Sequence, residues 1–166
     1  MRDILFRGKR MDNGEWVVGR GIVRFRSNEE ECFVPALGVL AVLYQDEFGN
    51  IVRIDETMIT KVCPSSVGQF TGFLDKYGTK IFEGDILAGD HYPYTGNDGA
   101  KNYYALVEWD EFGTGFYLTM FKAPGASVKG ISEGDGGLIG DCWSDGVFSV
   151  IGNIKDNPDL VPDYMF

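Results

Sequence analysis

Apolar and polar positions alternate over short stretches along the 166-residue chain, separated by clusters of Gly, Asp, Asn and Pro. A period of two marks half-buried strands, and the turn residues mark where each strand stops. Asp3-Ile4-Leu5-Phe6-Arg7 reads as the first strand, and Asp12-Asn13-Gly14 as the centre of a turn over 8–14. Trp16-Val17-Val18 and Ile22-Val23-Arg24-Phe25 follow as β-branched and aromatic runs around Gly19-Arg20-Gly21. The amino-terminal part therefore reads as a β-meander. Apolar and basic residues alternate in Val23-Arg24-Phe25-Arg26, which places both arginines on one strand face and the apolar side chains on the other.

The charged run 27–31 reads as a loop. Cys32-Phe33-Val34, the run 39–44 and Ile51-Val52-Arg53-Ile54 read as strands, with 46–50 as a hairpin connection. Residues 37–44 fit a short buried helix equally well, because periodicity does not separate the two at this length. The next strand, 58–63, stops at Pro64. Pro64-Ser65-Ser66 divides an N-terminal region, 1–63, from a second region, 67–156, and is too short for a flexible tether, so the chain is expected to be one folded unit.

Downstream, Asp75-Lys76-Tyr77-Gly78 reads as a turn, Lys80-Ile81-Phe82 as a strand, and Glu83-Gly84 as a second turn into Asp85-Ile86-Leu87. Residues 89–101 read as a long surface loop. Strands at 103–109 and 116–120 form a hairpin through 110–115, and 123–145 is a second glycine-heavy excursion before the last strand at 147–154. Asn157-Pro158-Asp159-Leu160 has an Asn cap followed by Pro, the pattern that opens a helical turn. No long helical period occurs. The expected fold class is mainly β, a small partly open barrel or a pair of packed antiparallel sheets with little helix, and 67–156 is the more compact region.

Composition sharpens this. The chain has 23 glycines, about twice the ~7% usual in globular proteins. Gly72, Gly78 and Gly84 fall where the backbone turns or needs positive φ, and Asp75 and Asp85 beside them suit bonds to their own local amides. The three cysteines, Cys32, Cys63 and Cys142, are odd in number and widely spaced, which favours reduced thiols and a cytoplasmic setting. Four basic residues lie in the first eleven without an apolar run after them, and no run of ~18 apolar residues follows, so neither secretion nor membrane association is expected.

The net charge is −10, which opposes general attraction to nucleic acid. Residues 1–26 nevertheless carry seven basic and three acidic residues, a local +4, whereas 27–166 carry eight basic and 22 acidic, a local −14. Arg20, Arg24 and Arg26 therefore mark a cationic face suited to an acidic surface. That surface belongs either to another copy, giving a homo-oligomer, or to the acidic part of the same chain.

Catalytic patterns fail one by one. His91 is the single histidine, no Gly-x-Ser-x-Gly elbow is present, and none of the cysteines has a nucleophile signature. Cys32, Cys63, His91 and Cys142 are zinc-ligand types without the close pairs that structural zinc sites use. Gly125-Ala126-Ser127-Val128-Lys129-Gly130 lacks the Gly-Lys-Ser/Thr ending of a P-loop, and the 134–140 run misses the dinucleotide fingerprint by one position. Asp110 with Glu111, and Asp135 with Asp141 and Asp145, match no calcium loop and read as surface acids on turns. No catalytic residue, cofactor or metal is expected. Arg24-Phe25-Arg26 with Tyr92, Tyr94, Lys101, Tyr103 and Tyr104 supplies the ingredients of a nucleic-acid surface, disfavoured by the acidic total.

Three separated segments carry a family likeness. They are Phe6-Arg7-Gly8-Lys9 leading to Trp16, Gly68-Gln69-Phe70-Thr71-Gly72 continuing through Asp75–Gly78 to Ile86, and Val150-Ile151-Gly152-Asn153-Ile154 continuing to Leu160. Their order and spacing resemble the YopX family of phage and prophage proteins over most of the chain. The resemblance implies a lineage and a β-rich fold, with no reaction attached. Glu83-Gly84-Asp85-Ile86 entering a strand is also similar to a turn of SH3-like barrels, some of which bind nucleic acid. The expected function is a non-enzymatic accessory protein acting by protein contact. A nucleic-acid-binding SH3-like barrel and a small hydrolase or nucleotide-binding enzyme are the alternatives. Tyr92 and Tyr94, flanking Pro93, suit either a contact surface or a lid over the core.

Overall fold

The computed structural model describes residues 3–25, 28–35, 44–45, 51–53, 59–89, 103–126, 136–142 and 148–165. The expected strand or helix over 37–43, the connection 46–50 and the loop over 90–101 lie outside them. The fold is mainly β, built of antiparallel sheets, with one helix of four residues among the described residues. No helix there is long and apolar enough to cross a membrane. The chain divides into two compact units, Met1–Phe70 and Thr71–Phe166.

In the first unit, β1 (Phe6–Lys9) and β2 (Trp16–Gly19) pair antiparallel, from Phe6 opposite Gly19 to Lys9 opposite Trp16. The first strand thus begins later than the expected Asp3, because its register with β2 runs out at Gly19 and leaves Ile4 exposed. The expected turn is present, closed by the Gly14 amide donating to the Arg10 carbonyl at 3.1 Å. Next come β3 (Val23–Phe25), β4 (Asn28–Pro35), β5 (Tyr44–Gln45), β6 (Ile51–Arg53) and β7 (Ile59–Val62).

β4 lies between β3 and β7, and β5 pairs with β6. The charged run read as a loop is therefore largely strand. Asn28 pairs with Phe25, and Glu29–Glu31 fall in the register shift before Cys32, where pairing with β7 begins. A register shift between Arg24 and Phe25 also interrupts the simple alternation expected there. Cys32, Val34 and Val62 form this unit's buried cluster, with Val17, Ile22 and Val67 packed against it. The tight 3-10 turn Pro64–Ser66 ends β7 as expected of Pro64. The Ser66 hydroxyl accepts from the Lys9 amide at 2.8 Å and donates to the Cys63 carbonyl at 2.6 Å.

β8 (Gly68–Leu74) runs across the boundary between the units, its first residues pairing with Arg7 and Phe6. Its two glycines and Thr71 obscured it as a strand in the sequence. The second unit continues with β9 (Lys80–Phe82), β10 (Asp85–Gly89), β11 (Tyr103–Asp110), β12 (Gly115–Lys122), β13 (Gly136–Leu138), helix α1 (Ile139–Cys142) and β14 (Phe148–Asn153). Five of these form one sheet in the order β13-β12-β11-β10-β14.

Alternation along its strands splits the sheet into two apolar faces. Ile81, Leu87, Ala105, Val107, Phe116, Leu118, Ile139 and Phe148 cluster on one side, and Ile86, Leu106, Phe121 and Val161 on the other.

The excursion read over 123–145 is corrected in part: it contains β13 and α1. Glycine here serves close approach rather than looseness. A Cβ on Gly136 would collide with the Leu118 carbonyl and the Tyr117 ring, so only glycine lets β13 pair with β12. The helical turn at Pro158–Leu160 forms, but Asn157 does not cap it with its side chain. That side chain turns back to accept the Asn153 amide at 3.2 Å.

The turns around Asp75 and Asp85 behave as their sequence implies. Gly72, Gly78 and Gly84 have φ of 94°, 84° and 80°. The Asp75 carboxylate is 6% exposed. One of its oxygens accepts from the Tyr77 and Thr79 amides, each at 2.8 Å, and the other from the Val150 amide at 3.1 Å. The buried Asp85 accepts from the Phe82 amide at 2.8 Å.

Burial works to raise the Asp75 carboxyl, but the amides of Thr79, Val150 and Tyr77, with the Thr79 hydroxyl, outweigh it and hold the group below its ordinary value. A carboxyl depressed in the folded state stabilises it above the unfolded pKa, ~3.9, and that contribution is lost as pH falls through the folded value. Asp75→Asn is therefore expected to cost about 2–3 kcal/mol at pH 7, measured by urea unfolding. The gap to the native chain should narrow below about pH 4. Equal stability of the two chains at pH 7 contradicts this role.

Candidate functional site

The hairpin β11–β12 is in register over its whole length, from Tyr103 opposite Lys122 to Asp110 opposite Gly115. Val107 and Leu118 sit opposite each other in the core, whereas Trp109 and Phe116, two pairs nearer the tip on the same face, meet edge to face at 5.2 Å between ring centroids. Phe116 is buried and Trp109 is 47% exposed. The core therefore extends into the hairpin through Phe116, and Trp109 carries its edge to the surface.

The connecting turn is built by a side chain. Asp110 Oδ1 accepts from the Phe112 amide and Oδ2 from the Gly113 amide, each at 3.0 Å. This is the local bonding that makes Asp a turn former. Oδ2 occupies the space a Cβ on Gly113 would take, so glycine is required there. Thr114 follows at φ 51°, among the described residues the sole non-glycine at positive φ. A β-branched residue is strained in that region. Phe112, at the centre of the turn, is 100% exposed.

On the sheet face behind the tip, Glu108 lies opposite Tyr117, and its Oε2 accepts the Thr119 hydroxyl at 2.6 Å. Glu108, Trp109, Asp110, Phe112, Tyr117 and Thr119 line a shallow groove. Tyr117 and Phe112 join two carboxylates there and no basic residue lines it, while Trp109 borders it from the opposite sheet face, where its ring packs on Phe116. Chemically the lining offers rings for stacking and carboxylate oxygens for donors, with one hydroxyl, that of Thr119, already bonded to Glu108. No group of three His, Cys, Asp or Glu positioned for a metal occurs among the described residues.

Of the residues singled out from sequence, two of the arginines fall among the described residues. Arg20 is exposed just beyond β2, and Arg24 lies on β3 opposite Cys32. Arg26, Tyr92, Tyr94 and His91 lie outside the described residues. Two other N-terminal cations already have partners, Arg7 over the Trp16 ring at 4.7 Å and Arg10 in a bidentate pair with Asp12. Of the cysteines, Cys32 is fully buried, Cys63 Sγ lies 3.3 Å from Ser65 Oγ, and Cys142 ends α1. Asp110, weighed with Glu111 as a cation ligand, has both oxygens engaged by turn amides. The groove escaped sequence reasoning, although a phenylalanine at the centre of a turn, where polar residues dominate, is a readable signal.

The family described as YopX protein matches residues 6–162. Among solved structures, the crystal structure of protein EF1440 from Enterococcus faecalis is similar at 21% identity, covering 96% of this chain and 98% of that one, with a TM-score of 0.46. No curated protein matches.

A turn that displays rather than packs Phe112 sets a stability expectation. Phe112→Ser should change unfolding free energy by less than about 0.5 kcal/mol, because nothing is buried there. Thr114→Gly should stabilise the chain by about 0.5–1 kcal/mol by relieving positive φ. Chemical denaturation of both variants measures this, and a destabilised Phe112→Ser shows the ring packing against the fold.

Proposed function

The chain belongs to the YopX family, and from that premise we propose that it is a phage- or prophage-derived accessory protein that works without catalysis, by contacting another protein through the β11–β12 hairpin. The observation that carries this reading is Phe112, fully exposed on a turn that the Asp110 carboxylate fixes and that Thr114 strains. A strained turn that carries a phenylalanine in solvent points to a displayed side chain. Large aromatic residues are enriched at the centres of protein interfaces, and a rigid turn loses little entropy when it docks.

The acidic total supports a protein partner over nucleic acid. The cysteine usage fits a cytoplasmic setting. Self-association is a separate part of the reading, supported by the local +4 of residues 1–26 against the local −14 of 27–166. Sedimentation equilibrium of the native chain, beside a variant with Arg20, Arg24 and Arg26 changed to Glu, addresses it.

The main test is affinity capture from infected or induced cells with the native chain and with Phe112→Ser. A protein retained by the first and lost by the second, at unchanged melting temperature, is the expected result. Two outcomes contradict it: a nucleic-acid mobility shift that weakens steeply with salt, or thermal stabilisation by a nucleotide or metal of the size a specific ligand gives, ~2.7 kcal/mol at ~100 times its dissociation constant.

A further inference from the structure

Resting on the reading of the β11–β12 hairpin as a contact surface, we propose that its groove receives an arginine side chain from an extended segment of the partner protein. The lining has the two features a guanidinium requires, aromatic faces and carboxylate charge, in one place. Glu108 is exposed, and the Thr119 hydroxyl bound to Oε2 fixes its orientation while Oε1 stays open to a donor. Asp110 is held by the turn amides and Glu111 is exposed next to it, so the negative charge at the tip is pinned in position. No lysine or arginine among the lining residues neutralises it.

On the aromatic side of the groove Tyr117 is the fixed ring, lying against Gly136 in space any Cβ there would fill. The Phe112 amide is held by Asp110, which places its exposed ring at the tip, whereas Trp109 packs on Phe116 on the opposite sheet face. An apolar peptide would leave Glu108 facing it without a cationic partner, and an acidic one would be repelled. Arginine satisfies both halves at once, since its planar cation stacks on a ring while its N–H groups donate to a carboxylate. Lysine, a point charge with a strong hydration shell, matches the carboxylate but not the stacking. The chain uses the same chemistry internally, with Arg7 over Trp16.

The test titrates the native, isotopically labelled chain with a capped Gly-Gly-Arg-Gly-Gly peptide and its citrulline counterpart, which keeps the shape and removes the charge. Saturable shifts of the Phe112 and Gly113 amides and of the Tyr117 ring signals are expected with the arginine peptide. Citrulline, Glu108→Gln and Phe112→Ser should each weaken binding roughly fivefold, as expected for losing an exposed ion pair or ring contact. Equal binding of the citrulline peptide, or shifts spread over the acidic surface and indifferent to Phe112→Ser, overturns the proposal. A captured partner lost with Phe112→Ser but kept in full with Glu108→Gln leaves the contact reading standing and removes the arginine. A native oligomer that Glu108→Gln dissolves makes a second copy the occupant and overturns a separate partner.

Discussion

Asp75 holds a buried negative charge in place with three amide hydrogens, and much of the second unit is arranged around that fact. A carboxylate out of water costs several kcal/mol unless its oxygens are bonded, so the sequence must deliver amides to it from the right directions. Two come from its own turn, where Gly78 supplies the positive φ that brings the chain back. The third comes from Val150, 75 residues later. Alongside, the Lys76 amide donates to the Phe148 carbonyl at 2.9 Å. A local turn is thereby tied to β14, and β14 pairs with β10.

The second turn repeats the device. Asp85 takes the Phe82 amide, Gly84 donates to the Val107 carbonyl at 2.8 Å, and the Gly84 carbonyl accepts from Ile154 at 2.9 Å. One short turn thus holds β11 and the end of β14 together. The β11–β12 hairpin rises from this base with its core side anchored by Val107, Phe116 and Leu118. Its tip departs from the economy of the rest: the turn puts a threonine at positive φ, where glycine fits without strain, and a phenylalanine in solvent. That contrast between a base built for stability and a tip built for display is the physical ground for reading the hairpin as a contact surface.

The β class, the Asp75 and Asp85 turns and the three positive-φ glycines were legible because each depends on a few neighbouring residues. What escaped depends on distant ones. Asn28–Glu31 opens β4 although its charges favour a loop, with Asn28 paired to Phe25 of β3. Gly136 looked like loop composition until the Leu118 carbonyl and Tyr117 ring filled the space beside it. Asp75 was readable as a turn former, but its bond to Val150 was not, since no local pattern encodes a partner 75 residues away. The groove was missed for the same reason: Glu108, Phe112 and Thr119 become neighbours only once the register pairs Glu108 with Tyr117. The cationic and tyrosine residues chosen from sequence followed charge and composition, and Arg26, Tyr92 and Tyr94 among them lie outside the described residues.

The central claim is that the second unit opens as a whole because a turn carboxylate ties its first hairpin to its last strand. Native-state hydrogen exchange of the Tyr77, Thr79 and Val150 amides tests it most directly. The account predicts that all three exchange with the same free energy as the central amides of β10 and β11, the value for global unfolding of the unit. Tyr77 and Thr79 exchanging freely, as in an ordinary surface turn, while Val150 stays protected would contradict it.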